Sequence, residues 1–193
     1  MKSASTLRAV LAMPLPGQIL RVVAGVALLV ASAKVQVPFW PVPMTLQVAA
    51  VMAIPAAMGL RIGMATLIAY MALGAAGLPV FSGTPEKGIG LAYMLGATGG
   101  YLAGFVAAVA IVGWAADNLS KLLLWPAMLL GLCAIYGLGM AWLAQFVPAD
   151  KLLAFGLTPF VAGDLVKITL AAVIILGLPN GLLIKLRGSV KDA

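Results

Sequence analysis

The sequence predicts an all-α integral membrane protein of six transmembrane helices with both termini cytoplasmic. Three observations predict it. Of the 193 residues, 64% are hydrophobic and only 9% are charged, where a soluble domain carries about 25% charged residues. Six apolar windows reach the length of roughly 20 residues that a helix needs to cross a bilayer. Lysines and arginines are spread unevenly about those windows, as they are in proteins whose loops are sorted by the positive-inside bias.

The windows fall at roughly 19–37, 44–60, 62–80, 91–115, 122–146 and 158–184. Residues 1–18, "MKSASTLRAVLAMPLPGQ", begin basic, but their short apolar core is broken by Pro14 and Pro16. They read as a cytoplasmic arm and not as a signal peptide. In the first window Ala24, Ala27 and Ala31 share one helix face, and Ala27 and Ala31 form a small-xxx-small pair. Such a stripe suits close packing inside the bundle or a docking face for another membrane subunit. Lys34, near the outer end of this window, is placed to snorkel to the headgroups.

Prolines at 38, 41 and 43 in "VPFWPVPMTLQ" exclude helix between the first two windows. The run should be an extended outer turn, with Phe39 and Trp40 in an interfacial aromatic belt. Between the second and third windows only Arg61 in "GLRIG" interrupts the apolar pattern. Before the fourth window, glycines gather: nine of the 22 lie between Gly74 and Gly104. "VFSGTPEKGIG" reads as a mobile lid over an outward-facing pocket, and "GATGGY" begins the next span. The fifth window holds the one cysteine, Cys133, and the sixth holds "GDLVK".

With both ends inside, the inner side carries Lys2, Arg8, Arg21, Arg61, Lys121, Lys185, Arg187 and Lys191, against Lys87 and Lys151 outside. That places the connections 38–43, 81–90 and 147–157 on the outer side. The chain is a single membrane domain over residues 1–193, with no soluble domain and no clear internal repeat.

Several function classes are excluded. The net charge of +7 is scattered over loops and ends, so nucleic acid is not the partner. There is no histidine and one cysteine, which removes histidine acid–base chemistry and the common zinc and haem sites. No lysine directly follows a glycine, so a P-loop cannot occur. The chain is not an enzyme, and ATP-driven work would need an ATPase on another subunit.

Asp164 and Lys167 carry the chemistry. At i and i+3 they share a helix face. They form either a self-neutralising pair that holds the bundle or a ligand site, and ionisable groups within spans mark substrate or ion paths. Together they offer acceptors and donors to a small polar molecule. A rival reading is an ion-coupled secondary carrier for such a molecule, with Asp164 as the proton or sodium site.

"VPFWPVPMTLQ", "ALGAAGLPVFSG", "LGATGGYLAGF" and "GDLVK" stand in the order found in the BioY family, the biotin-binding S components of energy-coupling-factor transporters. The chain resembles that family from about residue 20 to residue 187. The resemblance implies six helices in a bacterial inner membrane, with a biotin pocket near the extracytoplasmic face. It implies no covalently bound cofactor; biotin is the ligand. Asp164 would accept from the ureido N–H groups, and Lys167 would donate to the ureido carbonyl or to the carboxylate. Phe81, Ser82, Gly83, Thr98, Gly99 and Tyr101 would add contacts, with Ser82 standing in for an asparagine found near the lid in some relatives. Ala27 and Ala31 would dock a scaffold transmembrane subunit, and two nucleotide-binding ATPase subunits would supply the energy.

Overall fold

The structure, a computed structural model, describes residues 15–37, 40–86 and 88–187. Within these, five helical stretches are long and apolar enough to cross a membrane: Pro16–Lys34, Gln47–Ala75, Gly99–Asn118, Lys121–Leu143 and Ala149–Gly177.

Helix α1 (Leu15–Lys34) starts earlier than the sequence window. Pro16 sits in its first turn, where a missing N–H costs nothing. Gly25, Leu29, Ser32 and Ala33 face inward, while Ala24, Ala27 and Ala31 are exposed. Among the described residues, the alanine stripe is therefore not used for packing within the chain. Gly25 lets α1 press on Thr66, whose Cγ2 would lie 2.7 Å from a Cβ there.

A two-residue ribbon follows, β1 (Gln36–Val37) pairing antiparallel with β2 (Met44–Thr45). Its register sets Gln36 opposite Thr45. The proline-rich run between the strands includes Phe39, which lies outside the described residues. Trp40 is exposed and meets the Phe155 ring edge-on at 5.5 Å.

Helix α2 (Gln47–Ala75) is continuous in hydrogen bonding but not in direction. Gly59 adopts φ +79° and ψ 176°, a conformation costly for any residue with a Cβ. In a straight helix residues 47 and 70 would stand about 34 Å apart, yet Gln47 Nε2 donates to the Tyr70 hydroxyl at 3.0 Å. The chain therefore reverses at Gly59 into two antiparallel arms, 47–58 and 60–75. Gly63 in the second arm faces Pro55 in the first, where an added Cβ would meet Pro55 at 2.9 Å. The reversal is held from outside: Asp117 Oδ2 accepts the Leu60 N–H at 3.0 Å, capping the second arm's first turn.

The second arm stops at Ala75, short of the window's end at 80. Gly77, at φ +94°, closes it with a Schellman motif, in which Gly77 N–H bonds Gly74 O and Leu78 N–H bonds Leu73 O. After a loop come α3 (Gly90–Met94), a break, and α4 (Gly99–Asn118). Gly100 and Gly104 open one face of α4 to α5 (Leu124–Leu143); a Cβ at Gly104 would sit 2.6 Å from Ile135 Cα. Small residues at this spacing let helices pack backbone to backbone. Then come α6 (Leu152–Gly156), α7 (Thr158–Gly177) and α8 (Asn180–Arg187). Pro179 forces Leu178 out of helical geometry, so the sixth window divides into α7 and α8.

Two ends of the bundle differ. At one, the ribbon, the loop after α2 and the segment around α6 converge. At the other, Arg187 donates to Ala116 O and, at 2.8 Å, to Ala56 O. Both are last-turn carbonyls that their own helices leave unpaired.

Candidate ligand-binding site

α7 places Asp164 and Lys167 one turn apart at the first of these ends. The Lys167 ammonium donates to Asp164 Oδ1 at 2.7 Å and to the Thr45 carbonyl at 2.8 Å. The Tyr136 hydroxyl, from α5, donates to Asp164 Oδ2 at 2.8 Å. Asp164 is 3% exposed, and burying a carboxylate is costly unless it is paired and hydrogen-bonded, as it is here.

Asp164 forms part of the wall of a cavity of about 550 Å³, counting its open mouth. The ribbon contributes Val42, Pro43 and Thr45, and the first arm of α2 contributes Gln47 and Val48. Tyr93, Thr98, Tyr101, Phe105, Tyr136 and Phe160 also line it. It is a mainly apolar and aromatic chamber with one buried carboxylate at a fixed point.

Of the residues singled out in the sequence, Ser82, Thr98, Tyr101 and Asp164 line this cavity. Tyr101 is held by its hydroxyl, which donates to Gly156 O at 2.7 Å. The other four are placed differently. Lys167 touches two wall residues, Asp164 and Thr45, without lining the cavity itself. Phe81 is 1% exposed and stacks on Tyr93 at 4.8 Å, with the Tyr70 ring edge-on at 5.3 Å. Its ring fills the space a side chain at Gly74 would need. Gly83 takes φ +71° in the turn behind Ser82. Gly99, the first residue of α4, packs closely against the Met94 carbonyl and the Trp142 indole.

Lys34 departs from the snorkelling expectation. Its ammonium donates to Phe81 O at 2.9 Å, Thr84 O at 3.2 Å and Thr84 Oγ1 at 3.0 Å. Ser82 Oγ donates to the Gln36 side-chain oxygen. The 81–84 loop is thereby tied to the end of α1 and to β1. Tyr70 adds a bond to Val80 O at 3.2 Å. The Tyr93 phenol, in the short helix outside the spans, is pushed up by burial, with the Thr98 hydroxyl pulling the other way; it stays a neutral hydrogen-bonding group.

Residues 3–182 match the BioY family. The chain belongs to that family. It is 38% identical to the probable biotin transporter BioY of Pyrococcus horikoshii, over 77% of this chain and 88% of that one. It is also 38% identical to the biotin transporter BioY of Thermotoga maritima, over 79% of this chain and 89% of that one. A crystal structure described as the S-component for biotin from an ECF-type ABC transporter superposes with a TM-score of 0.71 at 24% identity. The match covers 85% of this chain and 93% of that one, and it shows that the two share a fold.

The sequence reading passed over Tyr136, Thr45, Gln47, Tyr93 and Phe160. Thr45 reaches Lys167 through its carbonyl, which no side-chain pattern reveals. Tyr136 is a neutral phenol on an apolar helix, and only its distance from Asp164 distinguishes it in this BioY-family chain.

Proposed function

We propose that this chain is the biotin-binding membrane subunit of an energy-coupling-factor transporter. Its relatives are named as biotin transporters, and the observation that carries the reading is the buried Asp164 in the wall of a mainly apolar cavity. Biotin's fused rings are apolar but end in a ureido group with two N–H donors beside a carbonyl. Asp164 accepts from those N–H groups. Lys167 stands 2.7 Å from Asp164, so it orients the carboxylate and favours the adjoining ureido carbonyl over the carboxylate at the far end of the chain. Ser82, Thr98 and Tyr101 complete the contacts, with Phe81, Gly83 and Gly99 shaping the loop and helix start behind them.

In this reading the arms of α2 count as two of six crossings of a single membrane domain in a bacterial inner membrane. The termini lie in the cytoplasm and the cavity end faces outward. Uptake is driven by two nucleotide-binding subunits through a scaffold subunit, which docks on the exposed face of α1 at Ala27 and Ala31. The chain binds its ligand without covalent chemistry and without a bound cofactor. A sodium ion at Asp164 would compete with the Lys167 ammonium already on Oδ1, which disfavours the ion-coupled carrier.

Calorimetric titration of the purified protein with biotin tests this. A hydrogen bond to a charged group contributes roughly 1.5–3 kcal/mol, so Asp164→Asn and Lys167→Ala should each weaken binding about 10- to 150-fold. Absence of biotin binding by the wild type would overturn the reading.

A further inference from the structure

A second cavity adjoins the first. It measures about 720 Å³, counting its open mouth. Tyr93 and Thr98 line both chambers, whereas Asp164 lines only the first. The segment after β1 is divided in the same way: Val42 and Pro43 face the first chamber, Trp40 and Pro41 the second. The two spaces therefore share Tyr93 and Thr98 as wall residues and meet along the 40–43 segment.

The second chamber has its own chemistry. None of its lining residues is charged. Trp40, Tyr93 and Phe146 give it aromatic surfaces, and Thr98 gives it a hydroxyl. The Gly96 carbonyl in its wall already accepts from Trp142 Nε1 at 2.9 Å. A carboxylate entering here would lose water without meeting a cation, which is costly. A neutral chain meets no such cost: methylenes lie on aromatic faces, and an amide can use the Thr98 hydroxyl.

A ligand whose ring system engages Asp164 carries its tail away from that carboxylate, and the shared Tyr93–Thr98 wall leads into the second chamber. We propose that this chamber receives the far end of an extended ligand, so that biotin joined through its carboxylate to an amine is bound by the same site. The inference rests on the reading that biotin is the ligand, and it adds a substrate class to it, the biotin amides. The chamber also supplies the means of discrimination, because it admits a neutral extension and offers nothing to a charged one.

The test compares biotin with two neutral amides, biotin methylamide and biotin butylamide, by calorimetry on the purified full chain. In the wild type both amides should bind within about tenfold of biotin, their ordering cost offset by the added contacts. Two variants fill the chamber from different walls, Ala97→Trp and Phe146→Trp. With the chamber filled, the amides should weaken by at least about fivefold. Biotin itself should stay within about twofold, because neither Ala97 nor Phe146 lines the first chamber. Amides that fail to bind while biotin binds would overturn the proposal. So would amide affinity that survives in a filled variant still binding biotin. Loss of biotin and amides together in both variants would make the chambers one site, and that too would overturn it. If biotin does not bind the wild type at all, the functional reading fails first, and the inference falls with it.

Discussion

At the scale of single residues, Asp164 is the group on which the others converge. Both its oxygens are engaged, Oδ1 by Lys167 and Oδ2 by Tyr136. Removing one partner from a buried charge is costlier than the contact itself, because the remaining charge is left poorly solvated. The pair was legible in the sequence, since two charges inside an apolar run have few innocent explanations. Tyr136 was not, because a tyrosine on an apolar helix looks like any other packing residue until a distance is known. Tyr136→Phe keeps the ring and removes only the donor to Oδ2. It should weaken biotin binding about tenfold, the low end for a hydrogen bond to a charged group, as measured by calorimetry. Unchanged affinity would mean that Lys167 alone orients the carboxylate.

At the scale of elements, the loop after α2 is anchored at unequal strength along its length. Phe81 is wedged between Tyr70 and Tyr93, and the Lys34 ammonium takes three acceptors from Phe81 and Thr84. The segment carrying Ser82 is thus a strap fastened to α1. The glycine-rich region admits two readings, close helix packing and a mobile loop, and Gly74, Gly99, Gly100 and Gly104 serve the first. Composition cannot separate those two uses, because both need only the absence of a Cβ. Lys34→Met keeps the aliphatic stem and removes the charge and its donors. Losing charge-assisted bonds should lower protection of the amides in residues 81–86 by about 10- to 100-fold, read by hydrogen exchange. Biotin dissociation should quicken in parallel if this strap closes the mouth. Unaltered exchange would show that the aromatic wedge alone holds the loop.

For the whole molecule, the two ends perform separate tasks. The cavity end gathers Asp164, Lys167, Tyr136 and the strap. The opposite end is a knot that fixes how the helices meet. Asp117 caps the second arm of α2 at Leu60, and Arg187 caps the first arm and α4 through Ala56 and Ala116. This division also explains why the reversal in α2 was the least visible feature of the sequence. Arg61 marked an interruption, but the turn itself depends on Gly59 and on Asp117, which lies far along the chain and reads as an ordinary polar residue at a helix end. Burial pulls the Arg187 guanidinium down, and Asp117 pushes it back up, so each charge supports the other. Arg187→Met should therefore remove two carbonyl caps and leave Asp117 without its nearby cation. A loss of about 1–3 kcal/mol corresponds to a melting temperature lower by about 3–10 °C for a chain of this size, measured in detergent. Biotin affinity should stay within about twofold, because residues that share no partners act additively. A large loss of affinity with little loss of stability would instead mean that the knot sets the geometry of the cavity across the full length of the bundle.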